Sequence, residues 1–291
     1  MSKKRTTFYG RCFLCGYSTT KGGLTRHLKK HIAERQGDTP LVWLRVMDRA
    51  WASAPSAYWL DLEVPAALEL DLLDAFLRDI WLECCDHLSH FSIRYQGRRL
   101  DFRAHPLGGL EEEDLPTMAE ALEWLQDPEK ESAQLARAWA NLTGFPEEIA
   151  RQILEQRQND FPIEVSMYGV TVGDLAEMAD QWDHEYDYGS TTYLRIQVMA
   201  RYQGPAPDPE EPIRILSRNY KPDIRCAQCD APAEYWDPED GTPWCAAYLP
   251  AEKTEWALPI VNSPRTGVCA YDGPSDPDLK FEEVYLPRPK K

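Results

Sequence analysis

Through residues 185–204 apolar and polar positions alternate with period two. Leu194, Ile196, Val198, Ala200 and Tyr202 share one face, and Tyr193, Arg195, Gln197, Met199 and Arg201 share the other. That spacing predicts a strand with one buried side. Tyr186 and Tyr188 alternate with Asp187 in the same way, and Gly189-Ser190 interrupts the run, so two strand pieces joined by a bulge or tight corner are expected. Tyr58, Leu60, Leu62 and Val64 alternate with Trp59, Asp61 and Glu63, a second half-buried strand stopping at Pro65. The period then changes. Leu72, Leu73, Phe76, Leu77, Ile80 and Trp81 recur at helical spacing, with Glu69, Asp71 and Asp74 placed to offset the helix dipole.

Residues 98–102 read as a strand after a Gln96-Gly97 turn, and residues 106–160 as an inserted helical block. Its first helix carries a capping box, Thr117-x-x-Glu120, and the stripe Met118, Ala121, Leu122 and Leu125, ended by Asp127-Pro128. A second helix covers 129–142 before Gly144. A third starts at Pro146-Glu147-Glu148 and carries Ile149, Ile153 and Leu154. Residues 161–168 are a further strand candidate, and 174–180 a short helix. Four prolines within 203–212 make a stiff connector that ends the main domain. The expected fold class is α+β: an antiparallel or mixed sheet packed with helices, with the helical insertion and small zinc modules at both ends. The expected domains are 1–36, 41–204 and 213–291.

The zinc expectation comes from ligand spacing. Cys12-x2-Cys15 is followed, after eleven intervening residues, by His27-x3-His31, two thiols and then two imidazoles one helical turn apart. With Leu24 three residues before His27 and Tyr9 and Tyr17 as aromatic candidates, this resembles a C2H2 finger. The resemblance places the base-reading positions at Thr20, Gly23 and Arg26. Gly23 can read nothing and only Arg26 can make a strong bidentate base contact, so the module is expected to bind nucleic acid weakly and without sequence specificity, with Lys21, Lys29 and Lys30 contacting phosphates or an acidic protein. In the tail, Cys226-x2-Cys229 is followed by Cys245 and Cys269, with no histidine after His184. These four thiols are expected to form a second tetrahedral site, so two structural Zn2+ ions are anticipated. Adjacent Cys84 and Cys85 read as small apolar fillers.

Charge sharpens this picture. Residues 1–35 hold nine Lys or Arg and one Glu, a balance of +8; with 32 basic and 48 acidic residues in all, the remainder carries 23 against 47, or −24. A basic head suits a polyanion, and an acidic body is repelled by one. Ten Trp and 43% hydrophobic residues fit a globular chain. No apolar run reaches the length of a membrane span, and the N-terminus lacks the apolar core of a secretory signal, so a cytoplasmic protein without membrane contact is expected.

Three short motifs resemble a known family. Tyr186-Asp187-Tyr188-Gly189 before a long amphipathic strand, and His87-Leu88-x-His90-Phe91 entering an earlier one, resemble signatures of the Ri-plasmid ORF-three-like proteins, some of which are labelled passengers of insertion elements. The tail resembles relatives in which a denser Cys-rich module precedes Val261-Asn262-Ser263-Pro264-Arg265-x-Gly267-Val268-Cys269. The resemblance implies an α+β sandwich and, as one functional alternative, an accessory protein of a mobile element; it supplies no biochemical activity. An acidic residue usually follows the motif glycine, where this chain has Ser190.

For function, the leading expectation is a non-enzymatic, zinc-stabilised binding or adaptor protein whose body takes an unidentified protein partner. The alternative is a metal-dependent enzyme using His87, His90, His184 and Asp187, which flank strand ends. Histidines so placed more often satisfy carboxylate or backbone hydrogen bonds. There is no nucleophile elbow, P-loop, dinucleotide fingerprint or H-E-x-x-H motif.

Overall fold

The computed structural model describes residues 7–49, 57–105, 115–157 and 161–285; the parts of the expected helical block at 106–114 and 158–160 lie outside them. In chain order, β1 (Tyr9–Cys12) and β2 (Ser18–Thr20) form a hairpin that leads into α1 (Lys21–Glu34). Next come β3 (Thr39–Asp48), β4 (Trp59–Pro65) and α2 (Leu70–Leu77), which continues as a π-helical turn over Arg78–Leu82. β5 (Ser89–Tyr95) and β6 (Arg98–Arg103) precede the helices α3 (Met118–Gln126), α4 (Pro128–Thr143) and α5 (Glu147–Arg157). β7 (Ile163–Ser166), α6 (Val172–Met178), β8 (Gln181–Tyr186), β9 (Thr192–Gly204) and β10 (Arg214–Asn219) follow. A small second sheet holds β11 (Tyr235–Trp236), β12 (Pro243–Trp244) and β13 (Leu258–Pro259).

Ten of these strands form one mixed sheet, ordered β2-β1-β10-β4-β3-β9-β8-β5-β6-β7, in which β6 and β7 run parallel and the other pairs antiparallel. The fold is therefore α+β. The expected corner at Gly189-Ser190 is a tight β8–β9 hairpin in which Tyr186 faces Thr192. Thr117 and Glu120 close the capping box on α3, and Gly144, in the left-handed region at φ 72°, ends α4.

Strand alternation sends side chains to two cores. Val42, Leu44 and Val46 of β3, with Leu60, Leu62 and Val64 of β4, pack under α2, α6 and the inserted helices. On the opposite face Trp43, Trp59 and Leu216 pack with Cys12, Leu24 and Leu28. β9 serves both. Its register against β3 shifts between Trp43 and Leu44, so Val198 faces Leu44 while Ala200 faces Trp43. The extra residue, Met199, is a bulge that turns Ala200 and Tyr202 to the face opposite Leu194, Ile196 and Val198, which corrects the single face expected from period two.

The head is seated on the sheet rather than tethered to it. β1 pairs with β10, with Cys12 opposite Ser217, and a Cβ at Gly10 would fall 2.4 Å from the Arg218 carbonyl oxygen, so only glycine permits that approach. β10 in turn lies beside β4, so strands from both sides of the proline-rich connector share one sheet. Beneath α1 lies a charged layer. Asp61, expected on a half-exposed strand face, is fully buried and accepts from Arg45 Nε and Nη2, from Trp43 Nε1 (2.9 Å each) and from Ser217 Oγ at 2.5 Å. Glu63 accepts from Arg35 (2.5 Å), Arg214 (2.9 Å) and the Tyr202 hydroxyl. Buried carboxylates persist only when paired in this way. Arg45 also donates to Thr25 Oγ1 at 2.8 Å, so the layer reaches into α1 itself.

Candidate metal centres

The first centre is built by the hairpin and helix of the head. Cys12 ends β1, Cys15 follows in the turn, and His27 and His31 sit one turn apart on α1, which starts at the Thr20 cap. All four ligand atoms lie within 4.8 Å of one another. His27 Nε2 is 3.1 Å from both Cys15 Sγ and His31 Nε2, so the two imidazoles and the thiol converge on one point. Burial, with His31 and Lys30 nearby, lowers the pKa of His27, which favours the neutral imidazole a metal requires. Cys12 is buried and its thiol is pushed up by that burial. Two thiols and two imidazoles at this spacing are a tetrahedral donor set of the kind zinc prefers.

The second centre brings together Cys226, Cys229 and Cys245; Cys229 and Cys245 have their sulfurs 3.6 Å apart. Burial would raise Cys226, but the amides of Gln228, Cys245 and Cys229 outweigh it and bring the thiol down to about 6. Among the described residues the group stops at three. The turn after Cys245 repeats the turn after Cys226: Asp230 N donates to Cys226 O at 3.2 Å, and Leu249 N to Cys245 O at 3.1 Å. Tyr248 therefore stands where the second cysteine of a paired knuckle would stand.

Cys269, expected as the fourth ligand here, lies elsewhere. It joins Cys84, Cys85 and His87 at the end of the π-helical turn, on the far side of the sequence from the knuckle. Cys84 and Cys85 are likewise not mere apolar fillers: Cys85 is exposed, and its sulfur is 3.8 Å from that of Cys269. The signal that could have found this group was the adjacency of two thiols to His87 in one loop. Nothing local tied Cys269 to them.

The four residues weighed as an enzymatic constellation do not converge. His90 faces Glu185 across β5–β8, and Phe91 faces His184, so His90 and His184 project to opposite sides of the sheet. His184 is buried and its Nε2 meets Asp74 Oδ1 at 2.6 Å, fastening α2 to β8. His90 is bound to Tyr188 and Arg99. Only His87 and Asp187 approach each other, Nε2 to Oδ2 at 3.7 Å. The Tyr-Asp-Tyr-Gly motif acts structurally. Asp187, at φ 64°, accepts from the amides of Gly189 and Ser190 and from Arg265 Nη2 at 2.6 Å.

The basic residues of the head divide into two groups. Lys21, expected to meet phosphate, lies 5.7 Å over the Trp59 ring and 3.7 Å from Met47 Sδ, and burial lowers its pKa. Arg26, Lys29 and Lys30 are exposed on the opposite side of α1.

No helix among the described residues is long and apolar enough to cross a membrane. No protein-family model matches the chain, and no curated protein matches it either. A solved structure of a protein of unknown function from Methanosarcina mazei Go1 is similar over 58% of this chain at 13% identity, with a TM-score of 0.33. The match spans 64% of that protein's length, and a likeness this slight carries no inference about fold or function.

Proposed function

We propose that the protein is a non-enzymatic, zinc-stabilised binding protein whose head meets a nucleic-acid backbone through Arg26, Lys29 and Lys30. The observation that carries this reading is the two-sidedness of α1. Leu24 and Leu28 are buried against Trp43 and Trp59, and Thr25 bonds Arg45, while the three cations stand exposed on the other side. Of the base-reading positions a finger would use, Thr20 is spent as the helix cap, accepting from the Gly23 amide at 3.2 Å, and Gly23 has no side chain. Arg26 alone remains, which favours phosphate contact over sequence readout. Zinc fits the head's Cys2His2 set and the three thiols of the knuckle, and its role at both is to hold the chain in place.

The test is a salt titration of the full chain against random duplex and single-stranded DNA. Three phosphate contacts give a slope of log K on log salt of about −2.7 for duplex. Combined Arg26→Ala, Lys29→Ala and Lys30→Ala should abolish binding at low salt. Binding that survives in this variant with an unchanged slope would contradict the reading.

A further inference from the structure

The geometry points to a third zinc site, formed by Cys84, Cys85, His87 and Cys269, that staples the C-terminal segment to the body.

The distances are those of a coordination shell. A tetrahedron with Zn–S near 2.3 Å and Zn–N near 2.1 Å has S–S edges of roughly 3.8 Å and S–N edges of roughly 3.6 Å. Cys85 Sγ to Cys269 Sγ is 3.8 Å, and Cys269 Sγ to His87 Nε2 is 3.6 Å. A disulfide would need about 2.05 Å between sulfurs. All four ligand atoms, Cys84 Sγ included, lie within 4.8 Å of one another. Three soft thiolates and one imidazole select zinc over hard cations such as Mg2+ or Ca2+.

The surroundings hold the ligands in place independently of one another. The Tyr186 hydroxyl accepts from the amides of Cys84 and His87 (3.4 Å each) and donates to Glu83 Oε1 at 3.0 Å, and Glu83 Oε1 also takes the Asp86 amide at 2.6 Å. The loop 83–87 is thus wrapped around one phenol and one carboxylate. On the other side Ser263 Oγ donates to Trp81 O at 2.8 Å and Trp81 Nε1 to Asn262 O at 3.2 Å, which fixes the segment that delivers Cys269. Charge is matched as well. Three thiolates on Zn2+ leave a net −1, and the fully buried Arg265 donates to Cys84 Sγ at 3.4 Å while pairing with Asp187. Asp187, 3.7 Å from His87 Nε2, lies just outside the shell. Forming this geometry needs the C-terminal segment folded back onto the body, since the loop and Cys269 are more than 180 residues apart.

The experiment counts zinc and maps thiol protection on the full-length chain purified with added zinc. Elemental analysis should give three zinc per chain. Cys85→Ala and His87→Ala should each lose one, with the loss from Cys15→Ala separate and additive. Cys85 and Cys269 are exposed, so in the wild-type protein, where no variant can misfold, both should resist iodoacetamide until a chelator is added. Unchanged zinc in Cys85→Ala, alkylation of Cys85 and Cys269 at free-thiol rates in the zinc-loaded protein, or a Cys85–Cys269 disulfide found by mass would each overturn the proposal.

Discussion

Both ring nitrogens of His90 are already committed. Arg99 Nη2 reaches Nε2 at 3.2 Å, so Nε2 accepts and Nδ1 carries the proton it donates to the Tyr188 hydroxyl at 2.9 Å. Protonating Nε2 would break the first bond and set a third cation beside Arg99 and Arg103. Asp101 and Glu185 also face that nitrogen, at 3.5 and 4.0 Å, but each is engaged by Arg99. Burial, then Arg103, His184 and Arg99, bring the pKa of His90 down to about 2. In the unfolded chain the value is near 6.5, so the unfolded state binds the proton first as pH falls. The stabilisation is complete above the unfolded value and is lost progressively below it, by up to about 2 kcal/mol between pH 7 and pH 5. Urea unfolding of wild type and His90→Gln at both pH values should show the wild type losing about that much more, since any acid loss of zinc is common to both. Parallel pH profiles would contradict this. The sequence placed His90 beside a strand and offered hydrogen bonding as its ordinary fate. Its sheet face, and so its separation from His184, depended on which residues pair across β5 and β8.

At the level of elements, two of the central strands and the helix caps were legible because each is written locally: alternation in β4 and β9, the capping box of α3, glycine after α4; β3 and β10, with long buried runs rather than alternation, were not legible as strands. What period two does not carry is the far side of each strand. Asp61 and Glu63 look like solvent positions, yet α1 covers them and supplies Arg35, and β10 supplies Ser217 and Arg214. The bulge at Met199 is equally invisible, since it depends on the partner strand. A consequence follows for Leu28, which is fully buried and belongs to the core beneath α1. Leu28→Ala should cost about 2–5 kcal/mol, as deletion of a buried leucine does. The loss should appear in the midpoint of the whole protein's urea transition. A small early transition with the main midpoint unmoved would mean that α1 unfolds alone.

For the whole molecule, the sequence suggested modules in series, and the ligand spacings suggested one metal for each end. The C2H2 group was legible because all four ligands fall within twenty residues; the allocation of Cys269 was not, because the tail returns to the body through contacts 180 residues apart. The head is likewise drawn in. Arg11 pairs with Glu283 at 3.1 Å, Tyr9 stacks on Tyr285 with ring centroids 4.0 Å apart, and β1 extends the body's sheet through β10. A metal held by the head therefore bears on the stability of the entire sheet. The most direct measurement is urea unfolding of zinc-loaded wild type and Cys15→Ser, because Cys15 is exposed and its replacement removes a ligand without removing core packing. Followed by circular dichroism and by amide exchange in β3 and β9, the variant should unfold in one coincident transition at a lower midpoint. A separate early transition, with β3 and β9 protected to the wild-type midpoint, would show the head to be an independent finger and contradict this account.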